Sequence, residues 1–123
     1  MILVIGGAYQ GKLDVVKRDY GLSDEDVFFC EEGKGIVTDK KVIYGLEKYS
    51  LECVRKGLNP EEEISKEDLE DKILIANDIS CGIVPMDKTE RAWREANGRM
   101  VTALGLKAES VIRVFCGIPC RIK

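Results

Sequence analysis

Four short apolar runs set the limits on what this chain can become. They are Met1–Ile5, Val27–Cys30, Ile73–Ala76 and Ser110–Phe115, and the first and third contain no polar side chain at all. Apolar runs that do not alternate with polar residues suit strands covered on both faces, which is the condition inside a parallel sheet. The segments between them carry helical periodicity, and strands alternating with helices imply crossover connections. The expected fold class is α/β, a three-layer sandwich on a short, mainly parallel sheet of about four strands with a terminal hairpin. At 123 residues the chain fits one domain, 1–123.

The intervening segments fill in the rest. Gly11–Tyr20 reads as a helix with Leu13, Val16 and Tyr20 on one face, ended by Gly21. Asp39–Lys56 has Val42, Ile43, Leu46, Tyr49, Leu51, Cys53 and Val54 near helical spacing, which predicts one long helix stopped by Gly57 and Pro60. Ser65–Asp68 has the form of an N-cap opening a short helix before Lys72, with Glu61–Glu63 in a solvated loop. A further helix is expected from Lys88 to Leu106, turning Ala92, Trp93, Ala96, Met100, Ala103 and Leu104 inward. Gly117-Ile-Pro119 then leads into a last strand, Cys120–Ile122.

The first strand-to-helix junction reads Gly6-Gly7-Ala8-Tyr9-Gln10-Gly11-Lys12-Leu13. It has the spacing G-x-x-x-x-G-K of a phosphate-cradling loop, with a strand before it and a helix after it. In such a loop the backbone N–H groups surround a phosphate, the helix terminus adds partial positive charge, and Lys12 adds a full one. These eight residues are the expected nucleotide-binding set of a P-loop type fold. The alternative is a glycine-rich turn with an exposed lysine. Leu13 stands where a Ser or Thr hydroxyl ordinarily meets Mg²⁺, so involvement of that ion is in doubt. Acidic partners are sought at the ends of other strands: Glu31, Glu32 and, foremost, Asp78, which with Lys12 forms the expected catalytic pair.

Composition narrows the chemistry. The chain contains no histidine, which removes imidazole bases, imidazole nucleophiles and the common zinc sites. Its 19 basic residues against 22 acidic ones give a net charge of −3, so no global basic field draws in nucleic acid. The apolar segments are far shorter than a membrane span. The five cysteines, Cys30, Cys53, Cys81, Cys116 and Cys120, are odd in number and lack CxxC spacing, which suits reduced thiols in a cytoplasmic protein.

Two distant segments together suggest one family. Met1–Lys12, and Ile73–Pro85 with its Asn77-Asp78-Ile-Ser-Cys-Gly82-Ile83-Val84-Pro85, resemble adenosylcobinamide kinase/adenosylcobinamide-phosphate guanylyltransferase. Arg91, Arg94, Gly98-Arg99 and the closing Gly117–Lys123 fall in that family's order. The resemblance covers about the first 20 residues and residues 73–123, and the middle matches poorly. It implies ATP or GTP as nucleotide, a corrinoid as second ligand and a homo-oligomer. The family is longer and guanylylates a histidine, which this chain lacks. Tyr9 and Gln10 replace Arg and Ser, Asp78 replaces Glu, and Val101-Thr102 replaces Asn-Gln. The expected function is therefore nucleotide or phosphate binding, with guanylyl transfer lost and kinase activity weak or lost. An active reduced kinase and a non-enzymatic structural or regulatory subunit are the alternatives.

Overall fold

A computed structural model describes residues 1–31, 33, 35–79 and 87–123. Glu32 and the Ser80–Pro85 part of the family-like segment lie outside the described residues. The elements in chain order are β1 (Ile2–Gly6), α1 (Lys12–Tyr20), β2 (Val27–Phe29), β3 (Val42–Tyr44), α2 (Leu46–Arg55), α3 (Pro60–Ser65), β4 (Ile73–Asn77), α4 (Lys88–Lys107), β5 (Ser110–Phe115) and β6 (Ile118–Arg121). The fold is mixed α/β on a six-stranded, mostly parallel sheet of order β2-β3-β4-β1-β5-β6. Among the described residues only β6 runs antiparallel, paired to β5 with Phe115 opposite Ile118.

The course of the chain places the helices. It leaves β1 toward one edge of the sheet through α1, and works back toward and past β1 through α2, α3 and α4. Right-handed crossovers taken in opposite directions put helices on opposite faces. The two apolar clusters follow this division. One joins Leu3, Ile43, Leu74 and Val111 of the sheet to Leu46, Ile64, Met100 and Leu104 of α2, α3 and α4. The other joins Val4, Val42, Ile75 and Val114 to Val15 and Val16 of α1. Alternate residues of each strand thus feed both layers, which is why the runs are apolar without a break.

Three expectations need correction. Asp39–Lys56 is not one helix: Val42–Tyr44 is a strand, parallel to β2 and β4, and the helix begins at Leu46. Val42 and Ile43 are fully buried on opposite faces of the sheet. Their spacing to Leu46 and Tyr49 only imitates a helical period. The sheet accordingly has five mutually parallel strands rather than four. Ser65 does not open a helix but ends one. Asn59 caps α3 by accepting from the Glu61 N–H at 3.1 Å, Pro60 occupies the first helical turn, and Glu61–Glu63 follow it there rather than in a loop. The last strand starts at Ile118, so Cys116-Gly117 alone makes the turn.

Replacing Ile43 by Ala should cost about 2–5 kcal/mol in urea unfolding, the range for truncating a buried branched side chain. A loss below about 1 kcal/mol would contradict a buried strand at 42–44.

Candidate functional site

The sheet brings the carboxyl end of β1 between the ends of β4 and β5. Gly6 has no side chain because none fits: a Cβ there would lie 2.5 Å from the Val114 carbonyl oxygen. On the other side the Asp78 N–H donates to the Gly6 carbonyl at 2.8 Å. Beyond Gly6 the chain turns through Ala8 and Tyr9 into Lys12, the first residue of α1. Ala8 and Tyr9 form a turn between Gly7 and Gln10, and the first N–H groups of α1, which begins at Lys12, have no partner within the helix. A helix N-terminus carries partial positive charge.

Lys12 is buried, only 4% exposed, and its Nζ donates to the Gly7 carbonyl at 2.6 Å. The ammonium therefore lies within the Gly6–Lys12 loop. Burial lowers its pKa, and the opposing attraction comes from Glu47.

Glu47 is the residue that sequence reading missed. It lies in the first turn of α2, buried, with Oε1 accepting the Asn77 N–H at 3.1 Å. Desolvation raises its pKa, opposed by the Asn77 hydrogen bond and by the field of Lys12. Reading residues 39–56 as one helix concealed the signal. Val42-Ile-Tyr-Gly-Leu-Glu47 is a second strand, glycine and helix start, as Ile2–Lys12 is the first. Tyr44, at the end of β3, sits in the same field: burial first, then Glu47, Asp14 and Tyr9, raise its pKa.

A polar network behind Glu47 fixes the start of α2. Trp93 Nε1 donates to the Glu47 carbonyl at 2.8 Å and to Ser50 Oγ at 3.0 Å, and the Ser50 hydroxyl donates to Asn97 Oδ1 at 2.7 Å. Trp93 thus ties α4 to α2 rather than stacking in solvent. Asn97, absent from the expected inward set, is buried, whereas Ala92 is exposed.

The expected site residues are distributed unevenly. Gly6, Gly7, Gln10 and Asp78 line a cavity of about 420 Å³ beside α4, together with Arg94, Asn97 and Arg113. That volume suits a small-molecule ligand. Ala8 and Tyr9 are exposed, Tyr9 completely and with a left-handed φ of 61°. Gln10 faces the β5–β6 turn. Glu31 follows β2, three strands from β1, or roughly 14 Å at ordinary strand spacing. Leu13 packs against the α1-side apolar cluster and offers no oxygen. Among the described residues no three Cys, Asp or Glu side chains converge as metal ligands.

Because burial holds Glu47 above the ordinary carboxylate range, the folded chain binds its proton more tightly than the unfolded chain does. Stability is then lost as pH rises past the unfolded value near 4.3 toward the folded one, and stays lower above it. Glu47→Gln, which keeps an oxygen for the Asn77 N–H, should melt higher than the parent at pH 8. The difference should shrink as pH falls toward 4 in thermal unfolding followed by circular dichroism. An equal or lower melting midpoint at pH 8 would mean that the ionised carboxylate is not disfavoured by burial.

No helix among the described residues is long and apolar enough to cross a membrane. No curated protein was found to match the chain. A family model described as cobinamide kinase / cobinamide phosphate guanyltransferase matches residues 42–122. The match takes in the middle segment, where the sequence alone offered little likeness, and leaves the Gly6–Lys12 loop outside it. It covers about two thirds of the sequence, from β3 to the end of β6, and on that ground the chain belongs to the cobinamide kinase / cobinamide phosphate guanyltransferase family.

Proposed function

We propose that the chain binds a nucleoside triphosphate, or a smaller phosphate-bearing relative of one, through Gly6–Leu13 as a P-loop. Membership in a nucleotide-using family supports this. The observation that carries it is the start of α1 directly behind a glycine-rich turn, with the Lys12 ammonium already drawn to the Gly7 carbonyl. An entering phosphate replaces the Gly7 oxygen as the acceptor of Lys12 Nζ, and the helix N-terminus adds its partial charge. The adjoining cavity takes the remainder of the nucleotide or the alcohol acceptor, a corrinoid by family analogy.

Guanylyl transfer through a covalent histidine adduct is absent in this reading, because the chain has no imidazole. Phosphoryl transfer is weak or absent, since Leu13 removes a metal contact and Asp78 is exposed at the cavity mouth. One observation favours the second reading, an active reduced kinase. Glu47 is a buried carboxylate in the field of Lys12, bonded to the N–H of Asn77, which lines the cavity.

Titration calorimetry with ATP and GTP tests the binding. Lys12→Ala should weaken it by about 1.5–3 kcal/mol, the scale of a charge-assisted hydrogen bond. If ATP, GTP and pyrophosphate at millimolar concentration all leave heat, melting and amide shifts unchanged, the reading is wrong. Mg²⁺ should alter wild-type affinity less than about tenfold, or 1.4 kcal/mol, and Leu13→Ser should increase that dependence. A larger Mg²⁺ effect in the wild type, with ADP or GDP accumulating beside cobinamide, would establish the kinase instead. After incubation with α-labelled GTP the denatured protein should carry no label.

A further inference from the structure

We propose that the tip of the β5–β6 hairpin is part of the phosphate-binding apparatus, and that Gln10 is the positioning residue that couples the two. The inference rests on the reading of Gly6–Leu13 as a phosphate loop. Phe115 pairs with Ile118, leaving Cys116-Gly117 as a two-residue turn with φ of 50° and 73°. Both central residues with positive φ mark the primed turn that suits the twist of a hairpin. Such a turn leaves its central N–H groups outside the ladder. Here both are spent on one residue of the distant loop: the Cys116 N–H donates to Gln10 Oε1 at 2.6 Å, and the Gly117 N–H to the Gln10 carbonyl at 2.8 Å.

The two turns also lie in van der Waals contact. A Cβ on Gly11, where φ is 81°, would lie 3.4 Å from Gly117 Cα. With Gly6 pressed on the Val114 carbonyl, the loop is seated on the end of β5 at one side and on the hairpin tip at the other. At its outer part Tyr9 stands fully exposed at a left-handed φ, so Gln10 is the side chain that ties this part of the loop to the hairpin. A loop that must aim several N–H groups at one anion loses affinity when it samples other conformations. Gln10 restricts that sampling through its two acceptors. An anion that orders the loop must, by reciprocity, also hold the hairpin tip in place.

Amide hydrogen exchange by NMR, with inorganic pyrophosphate as the probe, tests the coupling. In the wild type, saturating pyrophosphate should slow exchange of the Cys116 and Gly117 amides at least fivefold. Gln10→Leu, which lacks the Oε1 acceptor but keeps the backbone carbonyl, should speed exchange of the Cys116 amide in the free protein and weaken pyrophosphate about tenfold, leaving the β4 amides unchanged. Gln10→Glu keeps an Oε1 acceptor and should retain slow exchange in the free protein. If Gln10→Leu exchanges quickly at 116 yet binds as the wild type does, Gln10 is only a structural brace and the proposal falls. It falls equally if pyrophosphate binds the wild type without changing those two amides, an arm that needs no variant to fold. A wild type that binds no pyrophosphate removes the phosphate-loop reading itself, and the coupling with it.

Discussion

A lysine ammonium buried at the head of a helix is the constraint around which this end of the molecule is organised. Taking such a charge out of water is costly unless partners replace the lost hydration. Lys12 has the Gly7 carbonyl in direct contact and the Glu47 carboxylate in its field. Each partner imposes a further requirement. The carbonyl can reach Nζ only if the loop folds back over the start of α1. The carboxylate must be buried as well, which obliges the Asn77 N–H to bond it and the Trp93–Ser50–Asn97 network to fix the turn that carries it. Strands β1, β3 and β4 and helices α1, α2 and α4 thus meet at one pair of opposite charges.

That arrangement explains what could be read in the sequence and what could not. The strands at Ile2–Gly6, Ile73–Asn77 and Ser110–Phe115 were legible because both faces are covered, leaving no polar interruption. The strand-to-helix turn at Gly6–Lys12 was legible as glycine and lysine spacing between a strand and a helix. Strand β3 was not, because three residues are too few to establish a period of two, and Val42, Ile43 and Leu46 happen to fall at helical intervals. Losing β3 also hid Glu47, which has meaning only as the first turn of a helix that starts beside Asn77. Asn97 was passed over for a different reason. A buried amide in a helix looks like a surface residue until its partner, Ser50 on another helix 47 positions away, is known.

Leu13, the second residue of α1, packs with Val15 and Val16 against the sheet, and its burial strengthens the attachment of the helix. In the phosphate-loop reading that we propose, this puts an aliphatic side chain where a hydroxyl would meet a metal ion, while Lys12 and the helix terminus are left to hold the anion. Binding and catalysis would then be separable at the level of single residues.

The sheet order also settles how the family-matched segment relates to the rest. Residues 42–122 supply β3, β4, β5 and β6, yet β4 and β5 are not neighbours, because β1 pairs with both. Without β1 the matched part would present two unpaired parallel edges, those of β4 and β5. Its apolar rows, Leu74 and Val111 on one face and Ile75 and Val114 on the other, would lose the Leu3 and Val4 that lie between them. Unpaired inner edges and split cores are not stable endpoints for a parallel sheet. The amino-terminal strand, although outside the family match, is required by the segment within it. Since β1 runs directly into Gly6–Lys12, that requirement delivers the loop to the space between Asp78 at the end of β4 and Val114 on β5.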